Sequence, residues 1–230
     1  MQAPVTATEP RAVGQAIRTP RSAALAGIAF SILFTVALVL IHTAIPADPE
    51  DAGKWLSDSS RRDAVLFAIG LVPFAGIGFL WFVGVLRDRV GGAEDRFFAT
   101  VFLGSGLLFV AAMLFVASAV AASLVASVGP KGDSLLSSGS WEVGRRTTYE
   151  LATVYAMRMA AVFTLATSTI LLRTRLAPRW LVVSGYAVAI LLLVTVGFFP
   201  WVELVFPSWV FALSLYVLIA GLRRRRVEGP

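Results

Sequence analysis

The sequence predicts an all-helical membrane protein with six transmembrane helices gathered in one bundle. Three observations carry that expectation. The 230-residue chain is 57% hydrophobic and only 15% charged, where a soluble domain carries about 25% charged residues, and its mean hydropathy is +0.80. Apolar runs long enough to cross a hydrocarbon core of about 30 Å at 1.5 Å per residue recur along the whole length. Backbone groups in lipid have no water partner, and these runs are far longer than barrel strands, so they must be helices.

The elements follow in order. Residues 1–21 are polar and proline-bearing, with no apolar core, and read as a disordered cytoplasmic tail. The first span, Ser22–Ile45, exceeds the 7–15 apolar residues of a cleavable signal and so stays as an anchor, although small residues at Ala44 and Ala47 leave cleavage as an alternative. The remaining spans are Ala64–Leu86, Phe97–Val128, Tyr149–Leu172, Trp180–Phe199 and Trp201–Leu222. The third would reach about 48 Å as one helix, so it tilts, projects beyond the membrane, or breaks. In the second span, Pro73 among Gly70, Gly76 and Gly78 marks either a packing kink or a bend that exposes carbonyls to a ligand. The third carries Gly104–Gly106 and a line of Ala119, Ser123 and Ser127, which suits close packing within the bundle or between subunits. The hairpin between the last two spans is so short that they must be antiparallel neighbours. The segments 46–63 and 129–148 read as solvated connectors or as lids, and residues 223–230 as a basic cytoplasmic tail.

Orientation follows from the basic residues in alternate loops. One set holds Arg11, Arg18, Arg21, Arg87, Arg89, Arg96, Arg173, Arg175, Arg179 and Arg223 to Arg226, thirteen in all; the other holds Lys54, Arg61, Arg62, Lys131, Arg145 and Arg146, six in all. The richer side is cytoplasmic by the positive-inside rule, which puts both termini inside. Three spans followed by three also fit the arithmetic of an inverted repeat, but the halves share no residue pattern.

Composition excludes several chemistries. With no cysteine there is no disulfide, thiolate metal site or thiol redox reaction. One histidine, His42, rules out a bis-histidine haem within one subunit, and the two lysines, Lys54 and Lys131, lie in loops, away from any buried Schiff base. The net charge of +6 sits at the ends of apolar runs, not on one face with interleaved aromatics, so nucleic acid is not the partner. There is no metal-ligand spacing, phosphate loop or nucleophile elbow, so no catalytic residue, metal or cofactor is assigned.

The polar residues that could act are few. Arg158 lies nine residues into the fourth span, near the bilayer centre if that span starts at Tyr149. An arginine at such a depth costs at least about 2.5–3.5 kcal/mol, so it should face other helices or a wet cavity and have a partner. Its role is either a structural ion pair or a site for an anion, a lipid headgroup or a proton relay. Glu150, His42, Glu203 and Asp63 fall in the same outer half and could complete a cluster around it. Each has a plainer reading as a headgroup-level residue, and His42 alone among them titrates near neutral pH in ordinary surroundings.

The stretch GFLWFVGVLRDRVGGAEDRFFATVFLGSGLLF, residues 78–109, with the six-span layout and an arginine-rich, lysine-poor composition, resembles uncharacterised six-helix integral membrane proteins of actinobacteria. The resemblance implies the membrane fold and brings no activity or catalytic residues. The expectation is therefore a membrane protein that binds or moves a small solute or lipid through the outer cluster, with Arg158 meeting an anion. An accessory subunit of a larger membrane complex, or a homo-oligomer packing through the third span, is the alternative. A lipid-modifying enzyme using Glu150 or Glu203 as acid or base is the third.

Overall fold

The computed structural model describes residues 20–45, 54–90, 96–128, 138–195 and 201–227. An apolar stretch can satisfy its own backbone in lipid only as a helix, and every long element is one: α1 (Pro20–Ala44), α2 (Ser59–Val90), α3 (Arg96–Val128), α4 (Gly139–Glu150), α5 (Met157–Thr174), α6 (Arg179–Thr195) and α7 (Val205–Val227). A π-helical segment, Leu151–Ala156, joins α4 to α5, and single 3-10 turns lie at Lys54–Ser57 and Val202–Leu204. No strand occurs among the described residues. Five helical stretches are long and apolar enough to cross a membrane, with α4, the π segment and α5 counted as one, and α6 is a shorter apolar helix.

The boundaries differ from the sequence expectation where polar residues extend a helix past its apolar stretch. The third span is one continuous helix of 33 residues. Helix α2 begins at Ser59, because the Asp58 carboxylate caps it, accepting from the Ser60 amide at 2.9 Å and the Ser60 hydroxyl at 2.7 Å. That hydroxyl is the main reason the Asp58 carboxyl titrates below its ordinary range. Part of the expected connector 129–148 is also helical: Ser138 caps α4 by accepting from the Trp141 amide at 3.2 Å, and Glu142 pairs with Arg145 at 3.0 Å and with Arg146. Helix α2 runs unbroken through Pro73, and α7 runs through the four arginines to Val227. The expected N-terminal tail up to residue 19, and segments 46–53, 129–137 and 196–200, lie outside the described residues.

Six helices close into a ring in chain order. Helix α1 packs most extensively on α2 and α7, α2 on α3, α3 on α5, α5 on α6, and α6 on α7. Neighbours run antiparallel, so the starts of α1, α3 and α6 share one end with the finishes of α2, α5 and α7. This basic end holds Arg87 and Arg173, the latter with its guanidinium 4.5 Å from the Phe98 ring centre. The other end, here the far end, holds His42 and Glu203 in contact.

Phenylalanines fill the middle of the ring. Phe79 is fully buried, and its ring centre lies 4.7 Å from Phe30, 4.9 Å from Phe163, 5.3 Å from Phe109 and 5.9 Å from Phe206, the range of attractive aromatic pairing. Five of the six ring helices thereby contribute to one aromatic cluster that also includes Phe34, Phe82 and Phe102. Beside this cluster, between α1, α2 and α3, lies a void of only about 10 Å³ lined by apolar side chains that include Phe30, Phe34 and Phe109, so a water would find neither room nor partners there.

Between helices the contacts are set by small residues. A Cβ on Gly27 of α1 would stand 2.0 Å from Ser214 Oγ and 2.8 Å from Phe82, one on Gly78 of α2 3.2 Å from the Ala26 carbonyl oxygen, and one on Gly185 of α6 2.1 Å from Ser168 Oγ. Ser168 and Ser214 are fully buried, and neither hydroxyl has a hydrogen-bond partner among the described residues. Each instead lies along a glycine Cα–H direction, the geometry of a weak C–H···O contact. Other buried hydroxyls bond back to their own helix, as Thr164 does to the Ala160 carbonyl at 2.8 Å.

Two outcomes follow for purified protein in detergent. Phe79→Ala removes the ring that touches four helices and should destabilise by about 3–5 kcal/mol, the cost of a large core truncation, read as a fall in thermal midpoint. Gly27→Ala should cost about 1–3 kcal/mol through overpacking, whereas Gly84→Ala, where a Cβ meets nothing within 4 Å, should leave the midpoint within the scatter of a surface change. Equal midpoints for the two glycine variants would show that α1 and α7 do not approach so closely.

Candidate functional site

The structure brings two of the five candidate residues together. His42 is in the last turn of α1, and Glu203 is in the 3-10 turn that starts the last helix, 8% exposed. His42 Nε2 lies 3.6 Å from Glu203 Oε2. The other imidazole nitrogen, Nδ1, is 3.0 Å from the Leu38 carbonyl oxygen, which can only accept, so Nδ1 carries a hydrogen and donates it. That bond holds the ring in place and leaves Nε2 facing the carboxylate.

This arrangement can hold one proton. Without it, the Nε2 lone pair and a carboxylate oxygen face each other and repel; with it on either atom, the contact becomes attractive. Trp201 stacks on the imidazole, ring centres 4.8 Å apart and planes 29° apart, which favours a ring that carries positive charge. To reach that position Trp201 adopts φ 74°, a left-handed conformation that costs a bulky residue about 1–3 kcal/mol and persists only where its surroundings enforce it. Nothing local in the sequence marks a tryptophan for positive φ, so this contact is visible only in the structure.

The charged groups at the outer end of the neighbouring helix stand apart from the pair. Asp58 caps α2, Arg61 lies 3.5 Å from the Asp58 carboxylate, and the Arg62 guanidinium donates to the Leu56 carbonyl. Asp63 is exposed and makes no hydrogen bond or ion pair among the described residues. Glu150 is likewise exposed, at the junction of α4 with the π segment. The expected convergence of Glu150, Asp63 and Arg158 on His42 and Glu203 is not what the helices build.

Arg158 departs furthest from expectation. It is exposed on the outside of the bundle, with no hydrogen bond or ion pair among the described residues, while Met157, Ala160 and Ala161 beside it are buried. On α5 the buried face holds the small residues Ala160, Ala161, Thr164, Thr167 and Ser168 together with Met157, Phe163, Ile170 and Leu171, while Arg158, Leu165 and Leu172 are outside; the small residues let neighbouring helices approach closely, and Arg158 lies off that face. The depth also changes. Counted from Arg173 at the basic end, Arg158 is fifteen residues away, about 22 Å along the axis, which leaves some 8 Å to the far edge of a 30 Å core.

On α3, Ala119, Ser123 and Ser127 are half-buried, and the small residues that face fully outward are Ala111, Ser118, Ala122 and Ala126. Among the described residues there is no group of three potential metal ligands. No protein family, curated protein or solved structure matches the chain. The class that fold and site define is a helical bundle whose helices have the length and apolarity of membrane spans, with a protonatable pair at one end and an unpaired arginine on its perimeter.

The pair predicts a measurable coupling. In a double-mutant cycle of His42→Ala and Glu203→Gln, the interaction energy should be about 1–3 kcal/mol, as for residues in direct contact, since removing one partner strands the other in a buried place. Additive midpoints within a few tenths of a kcal/mol would mean that the two side chains do not act on each other.

Proposed function

We propose that the protein is a multi-pass component of a bacterial plasma membrane, with both termini cytoplasmic, that binds a lipid by its phosphate at the bundle perimeter. The observation that carries this reading is Arg158, exposed near the start of the apolar helix α5 and with no hydrogen bond or ion pair among the described residues. A cation in that setting is costly unless something outside the chain meets it. Arginine side chains on a helix lean toward its N-terminus, here toward the far end, and the remaining 8 Å or so is a distance that snorkelling can cover. The group it then meets is a headgroup phosphate, which the guanidinium binds through paired N–H donors.

Passage of a solute through the centre is a weaker reading. The axis of the ring is occupied by packed phenylalanine rings, and the protonatable pair is at one end only. A lipid-modifying enzyme needs two carboxyl groups at one pocket, whereas Glu150 is exposed and Glu203 is buried against His42. An accessory subunit retains one specific support, the outward small-residue line on α3, along which another membrane helix could approach closely.

Native mass spectrometry of protein released gently from its host membrane separates these readings. Because Arg158 has no partner to lose among the described residues, Arg158→Leu should insert and unfold like the wild type while its retained phospholipid falls roughly fivefold or more. Loss of folded protein in that variant would instead give Arg158 a structural role, and a stoichiometric protein companion would put the subunit reading first.

A further inference from the structure

The basic end of the bundle has a second feature that the Arg158 reading does not use. Between α2 and α3 a groove of about 400 Å³ opens on the outside of the ring, lined by Arg87, Ala99, Thr100, Leu103, Gly104 and Leu107. Its volume falls in the ordinary range of small-molecule sites, about 300–1,000 Å³. We propose that this groove is a binding site for an anionic phospholipid, with the headgroup phosphate on Arg87 and one acyl chain laid along Leu103 and Leu107.

The polarity of the groove runs in one direction. Arg87 is the last residue of the apolar stretch Ser59–Arg87, so it lies where hydrocarbon gives way to headgroups. It is exposed and makes no hydrogen bond or ion pair among the described residues. Thr100 stands on the facing helix near the same end. From Thr100 to Leu107 the lining is apolar and descends seven residues, about 10 Å along α3. A cationic mouth above an apolar slot has the order of groups of a phospholipid, and of neither a soluble anion nor a purely apolar ligand.

The slot is made by what is missing from its wall. A Cβ built on Gly104 meets nothing within 4 Å, so glycine at that position leaves open space that any larger residue would enter. A partner helix is a poor fit. A helix about 10 Å across needs roughly 800 Å³ over a 10 Å length, twice what the groove offers, whereas a single acyl chain is thin enough to lie in it. The site is at the opposite end of the bundle from Arg158, so the two stand or fall separately.

The test uses the full-length protein in detergent, with thermal unfolding followed while palmitoyl-oleoyl phosphatidylglycerol, the matching phosphatidylcholine, or soluble glycerol phosphate is added. Phosphatidylglycerol should raise the midpoint more than phosphatidylcholine does, and glycerol phosphate should not raise it at all. Arg87→Gln should weaken the apparent affinity for phosphatidylglycerol roughly fivefold, the effect of one arginine beside an anionic lipid. Gly104→Leu, which fills the slot from a position with open space, should keep the midpoint of lipid-free wild type and lose the lipid response. The proposal is overturned if both variants respond like the wild type, if the two lipids act alike, or if glycerol phosphate reproduces the effect. A response that survives both variants but is lost in Arg158→Leu would assign all lipid binding to the far end and overturn this site while supporting the other.

Discussion

The fold depends on Phe79 and the rings around it. A membrane bundle gains nothing from moving apolar side chains out of water, since lipid is as apolar as they are, and its helices must be held by close packing instead. Phe79 touches rings from α1, α3, α5 and α7 at once, so the dispersion contacts of five helices meet at one side chain. The glycines at Gly27, Gly78 and Gly185 allow the backbones to come near enough for those rings to meet. With the axis filled in this way, a charged group has only two kinds of place left, the ends of the ring and its perimeter.

That constraint accounts for the distribution of charge. His42 and Glu203 are near enough to the far end that each can complete the other, and Trp201, in a left-handed backbone conformation, stacks on the imidazole. Arg158 and Arg87 have no such partner among the described residues and lie on the perimeter, one in the far half and one at the basic end. A pair that neutralises itself needs no ligand beyond a proton. Unpaired arginines on an apolar surface need an anion, and in a membrane the abundant anion at headgroup depth is a lipid phosphate.

Much of the fold was legible in the sequence because hydropathy alone limits an apolar run in lipid to a helix. The first and third spans begin and end within about two residues of expectation, and the third proves continuous. The far-end boundaries were not legible, because capping by Asp58 and Ser138 and the pairing of Glu142 with Arg145 extend α2 and α4 into stretches whose composition reads as loop. The candidate site was legible only in part. Approximate depth along each span put His42 and Glu203 at one level, but the facing of Arg158 could not come from hydropathy, since both faces of its helix are apolar. Residue size marks it only in part: the buried face holds Ala160, Thr164, Thr167 and Ser168 but also Met157 and Phe163, and Arg158 lies off it.

The π-helical segment Leu151–Ala156 bears on the same point. A wider turn inserts an extra residue into the helical register and rotates everything that follows relative to what precedes it. Here it stands between the polar α4, which has no buried residue, and α5, whose small face is wholly buried. The two segments need different faces turned to the ring, because one meets water and the other meets α3 and α6. The π segment makes that change within six residues, with Thr153 and Ala156 already buried, and leaves Tyr155 and Arg158 outward. Such segments occur often at functional sites. In this bundle the segment ends two residues before Arg158, so the device that lets α5 pack is also the one that leaves Arg158 on the perimeter.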